Sequence, residues 1–418
     1  MMKRPVLGLV LGLVFALASN AGCAASGNDL SDVDGGAGSD AHDDTTSIDS
    51  PFTDASGCME DGSVISVGPD EDHDGDGWSI GEGDCNDCDP NTNPGAQDVR
   101  GSGVDEDCSG AADDDDGVCD TGISLATNVA EDGARAIGLC RFPQENPGDP
   151  RQRRWGVLEA AFVLADGTPG MHHASRGVVP DFGPGARPQQ GDAMLALSSA
   201  TARRPGDPDY LAPLDADMGT TGQAPPGWPK ASPSCANVPD PMPIANDSAA
   251  LSLRIRVPTN ARGLSFRFAF FTTEFPAWVC HQYNDAFAAL LTSSVMPSTE
   301  PDGNVSYDGE GNPISANTVW LEACRPQVVG GVPYGCLQGD AMLAGNGFGP
   351  SAQEPRGHGA TGWLETAAAV LPGDVITLRF AIWDAGDHAH GSTVLIDDFR
   401  WLAEAGNEPG TVRAPSPK

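Results

Sequence analysis

Apolar and polar residues alternate along the last two thirds of the chain. Leu251, Leu253, Ile255 and Val257 alternate with Ser252, Arg254 and Arg256. Leu264, Phe266, Phe268 and Phe270 alternate with Ser265, Arg267 and Ala269, and Ile376, Leu378, Phe380 and Ile382 make a third run. Successive side chains of a strand point to opposite faces, so a period of two predicts sheets with one buried face. Residues 156–164, 193–198, 319–323 and 393–401 are further strand candidates, while 286–291 fits a short helix or a strand. Gly- and Pro-rich turns separate the runs, which predicts antiparallel pairing. Residues 121–405 are long enough to bury a sizeable core, and the expected fold is mainly β, a jelly-roll-like antiparallel sandwich.

Ahead of residue 121 this periodicity is absent. Lys3 and Arg4 precede a short apolar run over 6–18, too short to span a bilayer well, so residues 1–22 read as a signal peptide. The run ends at Ala21-Gly22-Cys23. Residues 23–57 are mostly Asp, Ser, Gly, Ala and Thr, which cannot bury a core and read as a disordered tether. Residues 58–120 then form a small Cys-containing acidic module, and 406–418 a disordered tail.

Charge sharpens the picture of the module. The chain carries a net charge of −36. From Asn28 to Asp120 there are 28 acidic residues and one base, Arg100, so this segment alone carries −27. Nucleic acid is therefore not an expected partner, because phosphates would be repelled. Asp70, Asp72, Asp74 and Asp76 occupy every second position, with Gly75 and Gly77 between or beside them. Like charges this close stay apart unless a cation gathers their oxygens. Counted from Asp72, oxygen ligands fall at positions 1, 3 and 5, with Gly77 at position 6 and the Trp78 carbonyl at position 7. This is the first half of an EF-hand-type calcium loop. Position 12 is Gly83, flanked by Glu82 and Asp84, so the closing ligand stays open. A count from Asp70 also places a glycine at position 6, so the frame stays open too.

Four blocks in this stretch resemble the metal-binding motif of MopE-type bacterial surface proteins. They are Asp72-His73-Asp74-Gly75-Asp76-Gly77, Gly83-Asp84-Cys85-Asn86-Asp87, Pro94-Gly95-Ala96 and Gly103-Val104-Asp105-Glu106-Asp107-Cys108-Ser109-Gly110. Arg100 stands where a cysteine is usual, and Cys88 is additional. Together with the loop reading, the resemblance implies a metal site drawn from Asp70, Asp72, Asp74, Asp76, Trp78, Glu82, Asp84, Asp87, Asp89, Asp105 and Asp107. The expected ion is calcium. Copper is the alternative, because MopE-type proteins are associated with it, yet the stretch offers mainly oxygen and only His73 as imidazole. Ala21-Gly22-Cys23 resembles a bacterial lipobox, which implies a lipid on Cys23 and a membrane partner; an ordinary signal peptide is the alternative.

The long C-terminal region resembles the choice-of-anchor L domain of bacterial surface proteins. The matching segments open with Ala134-Arg135-Ala136-Ile137-Gly138-Leu139-Cys140 and Met194-Leu195-Ala196-Leu197-Ser198-Ser199. They continue with Phe268-Ala269-Phe270-Phe271-Thr272-Thr273-Glu274-Phe275-Pro276 and Tyr283-Asn284-Asp285-Ala286-Phe287. They close with Ala381-Ile382-Trp383-Asp384-Ala385-Gly386-Asp387 and Ser392-Thr393-Val394-Leu395-Ile396-Asp397-Asp398-Phe399. The resemblance implies a surface β domain and no particular reaction.

Eleven cysteines suit an exported protein, and setting Cys23 aside leaves ten for a disulfide framework, with Cys324 and Cys336 the best local pair. Cys85-x-x-Cys88 has no second metal-binding pair nearby, so a zinc reading is the weaker one. Glu274, Asn284, Asp285, Asp384, Asp387, Asp397 and Asp398 lie near strand ends, where a structural calcium site competes with simple turn capping, the favoured reading. His172-His173 and His388-Ala389-His390 read as surface-loop histidines, with transition-metal binding the alternative. No Gly-x-Ser-x-Gly, His-Glu-x-x-His or phosphate loop is present, so the expectation is a non-enzyme. The sequence as a whole predicts an exported outer-membrane lipoprotein or cell-surface protein, alternatively a secreted one. Its expected role is adhesion or envelope architecture, with a glycan or surface-protein ligand. Metal acquisition and extracellular hydrolysis are the alternatives.

Overall fold

A computed structural model describes residues 57–60, 63–114, 117–235, 242–295, 303–404 and 410–415. The signal segment, Cys23 and nearly all of the tether lie outside the described residues. Phe52–Lys418 form one compact unit. Among the described residues, no helix is long and apolar enough to cross a membrane.

In chain order the strands are β1 (Gly57–Glu60), β2 (Ser63–Ser66), β3 (Gly156–Val163), β4 (Arg176–Val179), β5 (Met194–Ser198), β6 (Thr221–Gln223), β7 (Ile244–Arg256), β8 (Gly263–Thr272) and β9 (Ala286–Thr292). They continue as β10 (Ile314–Ser315), β11 (Gln327–Val329), β12 (Val332–Tyr334), β13 (Gly359–Ala360), β14 (Leu364–Ala369), β15 (Val375–Asp384), β16 (Ser392–Leu402) and β17 (Gly410–Arg413). One six-stranded sheet runs β10-β9-β15-β7-β3, with β6 also on β7. The facing seven-stranded sheet runs β17-β14-β8-β16-β5-β4, with β13 also on β8. Every pairing is antiparallel, for example Leu378 opposite Leu253 and Leu395 opposite Ala269. The fold is the antiparallel sandwich that the alternation predicts.

The three alternating runs meet in the core. Leu251, Leu253 and Ile255 join Ile376, Leu378, Phe380 and Ile382 from one sheet, facing Leu264, Phe266, Phe268 and Phe270 from the other. Aromatic contacts cross the gap: Phe266 lies 4.8 Å from Phe380 and Phe268 lies 4.9 Å from Phe287, centroid to centroid.

Three expectations change and one open alternative is resolved. The sheets do not keep a solvated outer face throughout, because every residue of β8 is buried. On its outer side Ala269 and Phe271 pack under Phe182 and Phe348 from loops and Leu343 from a short 3-10 helix, Ala341–Leu343. The opposite sheet carries a smaller outer cluster of Ala250, Ala288, Ala381 and Trp383, covered by Trp228. Residues 319–323 are not a strand; Val319 N–H and the Thr318 hydroxyl both donate to Asp308 Oδ2 at 2.9 Å, so the carboxylate takes hydrogen bonds that a ladder would use. Residues 286–291 lie in a strand, β9. Part of the expected disordered tail forms β17, which pairs with β14.

Candidate functional site

The acidic stretch folds as two successive turns of one design. Asp72 accepts from Gly75 N–H at 2.7 Å and from Gly77 N–H at 3.0 Å, so the loop is organised on Asp72. Gly75 and Gly77 have φ of 81° and 91°, which side-chain-bearing residues rarely adopt. Asp105 does the same work 33 residues later, accepting from Ser109 N–H and Gly110 N–H at 2.9 Å. Asp105, Asp107, Ser109 and Gly110 thus repeat positions 1, 3, 5 and 6 of the first loop.

Disulfides Cys58–Cys88 and Cys85–Cys108 staple the loops, so neither cysteine of Cys85-x-x-Cys88 is a free thiolate. Cys119–Cys140, Cys235–Cys280 and Cys324–Cys336 complete the pairings among the described residues. Arginines from the sandwich grip the module from outside. Arg151 donates to the Gly81 carbonyl at 2.7 Å, Arg153 to that of Gly77 at 3.1 Å, and Arg154 to that of Asp107 at 2.7 Å. The Asn93 amide donates to Asp76 Oδ2 at 2.7 Å while its oxygen accepts from the Thr259 hydroxyl at 2.7 Å, which ties the first loop to the sandwich. The Trp78 indole is 1 % exposed under the Arg153 guanidinium.

Three groups of carboxylates converge here, each with donor oxygens within 4.8 Å of one another: Asp72, Asp74 and Asp76; Asp74, Asp84 and Asp87; and Asp98, Asp105 and Asp107. Asp98 escapes a sequence reading; the Asp107 and Asp114 N–H groups donate to it and fold it against the second loop. Asp70, Glu82 and Asp89 join none of the groups. The second group has a distinctive property. The Oδ2 atoms of Asp74, Asp84 and Asp87 are all shielded from solvent and none has a hydrogen-bond partner. Burial, reinforced by neighbouring carboxylates, pushes the Asp84 carboxyl up to about 7 and raises that of Asp74. Burial likewise lifts Asp76 to about 7. In the third group Asp107 is already paired with Arg141 at 2.9 Å.

Two further polar clusters sit in the sandwich. Glu274, Asp285 and Asp384 meet at one rim. Glu274 Oε2 accepts from Asp285 N–H at 2.8 Å, and Asp285 accepts from the Ser392 hydroxyl at 2.7 Å and Ala385 N–H at 3.2 Å. Burial and mutual repulsion raise Glu274 and Asp285 well above the usual carboxylate range and Asp384 to about 7. For Glu274 and Asp285 the turn-capping expectation gives way to a buried, interacting pair. Asp397 and Asp398 lie elsewhere: Asp397 accepts from Gln189 N–H at 2.5 Å, and Asp398 pairs with Arg267 at 3.3 Å and Arg400 at 2.7 Å. Near the first rim, His388 is not a loose surface histidine. Its Nδ1 lies 2.8 Å from Asp247 Oδ2 and 3.4 Å from Asp217 Oδ1.

A cleft of about 640 Å³ opens where module and sandwich meet, lined by Trp78, Arg153, Arg256, Thr259, Arg262 and Asp374 among others.

Residues 229–399 match the Choice-of-anchor L domain. The match starts after the segments around Ala134 and Met194 that carry the opening of the sequence resemblance. No curated protein matches the chain. The family is one of non-enzymatic surface domains, and the match points to an exported, surface-associated protein.

Proposed function

We propose that this protein is a surface-anchored, calcium-binding protein with an adhesive or envelope-building role, held to the membrane through a lipid on Cys23. The reading rests on one observation: the carboxylates of Asp74, Asp84 and Asp87 converge within 4.8 Å, and each keeps a buried oxygen without a partner. Leaving buried polar atoms unpaired is costly, and for carboxylates more so. A calcium ion takes six to eight oxygen ligands, and Asp72 and Asp76 abut the same group through Asp74. Copper prefers nitrogen and sulfur, and the groups hold oxygen donors while the neighbouring cysteines are bonded to one another. That weighs against the copper alternative.

For the adhesive role, three arginines line the cleft at the junction, in a chain of net charge −36. An acidic surface glycan is the ligand that such a cleft suits, since guanidinium pairs with carboxylate and sulfate in bidentate geometry. The calcium loop forms one wall, so the metal would hold the cleft in shape.

The test is calorimetry on the full chain with calcium, magnesium and copper in turn, followed by an acidic-glycan array with calcium or chelator. Calcium binding that is lost in Asp84→Asn, with calcium-dependent glycan capture, supports the reading. Binding of copper alone would transfer the protein to metal acquisition.

A further inference from the structure

We propose that Asp217, Asp247 and His388 form a second metal site, separate from the acidic module, suited to a zinc-class divalent ion. Their donor atoms lie within 4.8 Å of one another. His388 Nδ1 is the hub, 2.8 Å from Asp247 Oδ2 and 3.4 Å from Asp217 Oδ1. Tetrahedral zinc holds nitrogen and oxygen donors at about 2.0–2.2 Å, which sets them about 3.4 Å apart. The His388–Asp217 separation already matches that spacing, and the His388–Asp247 separation needs to open by about 0.6 Å.

The backbone builds this convergence on purpose-made geometry. Asp384 pairs with Asn246 and Ile382 with Ala249, so two residues of β7, Asp247 and Ser248, oppose the single Trp383 and β7 bulges by one residue. A bulge re-aims side chains that a regular strand would send to the other face. Asp247 takes φ of 47° there, and His388 takes 61° in the facing loop. The Asp247 side chain is wholly buried, and Thr220 N–H donates to its Oδ1 at 2.8 Å, leaving Oδ2 to the imidazole.

An independent observation points to a ligand. Asn246 is 2 % exposed, yet its Oδ1 has no hydrogen-bond partner. Asn246 stands directly opposite Thr221 on β6. Directly paired residues of antiparallel strands place their side chains on the same face. The Thr221 hydroxyl lies 3.4 Å from His388 Nε2, so the orphaned amide lies beside the same imidazole, on its Nε2 side. A water held by that oxygen would complete the shell of an ion at Nδ1.

The donor set selects the ion. One imidazole nitrogen with two carboxylates suits zinc and its first-row neighbours, whereas calcium takes an all-oxygen shell. The module with its oxygen-only groups and this site with its imidazole would therefore divide the two ions between them. Nothing in this inference depends on the module binding calcium.

The experiment uses the full chain, stripped with chelator, dialysed and titrated with zinc in the presence of excess calcium. One zinc per chain is expected. His388→Ala should weaken it by about 100-fold and Asp217→Asn by at least about 10-fold, as loss of a ligand requires. Asp217 is 62 % exposed, so its variant keeps the fold even if the His388 variant does not. Cobalt in place of zinc should give a visible absorption band that Asp217→Asn alters. Absence of zinc uptake by the wild type, or equal affinity in wild type and Asp217→Asn, overturns the proposal and leaves His388 as a bridge between two carboxylates.

Discussion

Removing calcium should loosen the acidic module while leaving the sandwich folded. Two full negative charges 4.8 Å apart repel by about 3.5 kcal/mol at an effective dielectric of 20. Three such pairs among Asp74, Asp84 and Asp87 would cost about 10 kcal/mol, comparable with the whole stability of a typical domain. The empty loop must therefore hold protons or spread, and at pH 8 protons are scarce. Calcium at about 100 times its dissociation constant would add about 2.7 kcal/mol to the folded loop. Opening events that expose the loop should then become about 100-fold rarer, and limited proteolysis should slow by a similar factor while reclosing outpaces cleavage.

The assay is digestion of the full chain at pH 8 with calcium, magnesium or chelator, analysed after reduction. Reduction matters because Cys58–Cys88 and Cys85–Cys108 would hold nicked fragments together. Chelator should expose new cuts between about residues 68 and 84, and calcium should suppress them. Asp84→Asn and Asp87→Asn should abolish the protection. Asp70→Asn and Glu82→Gln should retain it, since neither residue belongs to a converging group. Equal digestion rates in calcium and chelator, or loss of protection in Glu82→Gln but not in Asp84→Asn, would refute the reasoning.

Stability should also depend on pH through the rim acids. Burial pushes Asp384 up to about 7 and raises Glu274 and Asp285 well above the usual carboxylate range, while an unfolded carboxyl titrates at about 4. The folded chain thus keeps protons that the unfolded chain releases, so stability should fall as pH rises from about 4 through 7, as read by urea denaturation. Asp285→Asn should flatten that slope, and an unchanged slope would reject the assignment. Phe268→Ala, wholly buried between Phe266 and Phe287, should cost about 3–5 kcal/mol in the same measurement. Cys23→Ser should move the protein from the membrane to the soluble fraction; failure of the wild type to incorporate labelled fatty acid would reject lipidation.

The sandwich was legible where burial is one-sided. In β7 and β15 the inward residues Leu251, Leu253, Ile255, Ile376, Leu378 and Phe380 fill the core, and their neighbours are small or polar. Alternation misled at 319–323, where Val319, Leu321 and Ala323 alternate inside a turn that Asp308 ties by side-chain hydrogen bonds. It also could not reveal the second layer over β8. Phe182 and Phe348 stand in loops with no period, and only the fold brings both within 6.4 Å of each other above Phe271. In the module, the spacing of Asp72, Asp74, Asp76 and Gly77 names the first loop directly. Asp98 carries no such signal, because its place in the third group comes from backbone donors nine and sixteen residues away.

The rim and the module answer the same physical demand in different ways. A carboxylate removed from water must be neutralised or paired. At the rim, Asp285 accepts from Ser392 and Ala385, and Glu274 accepts from Asp285 N–H, so much of the polar surface is already used. Protons suffice there, and the raised titration of all three acids follows. In the module the Oδ1 atoms of Asp74, Asp84 and Asp87 take backbone donors from Asp76, Asn86 and His73, yet each Oδ2 is left over. A proton would neutralise one carboxyl and leave the others facing each other. A divalent ion neutralises several at once and uses the leftover oxygens as ligands. With calcium present the response to pH should therefore be concentrated in the sandwich, whereas without it Asp76 and Asp84, also pushed up to about 7, should add to that response.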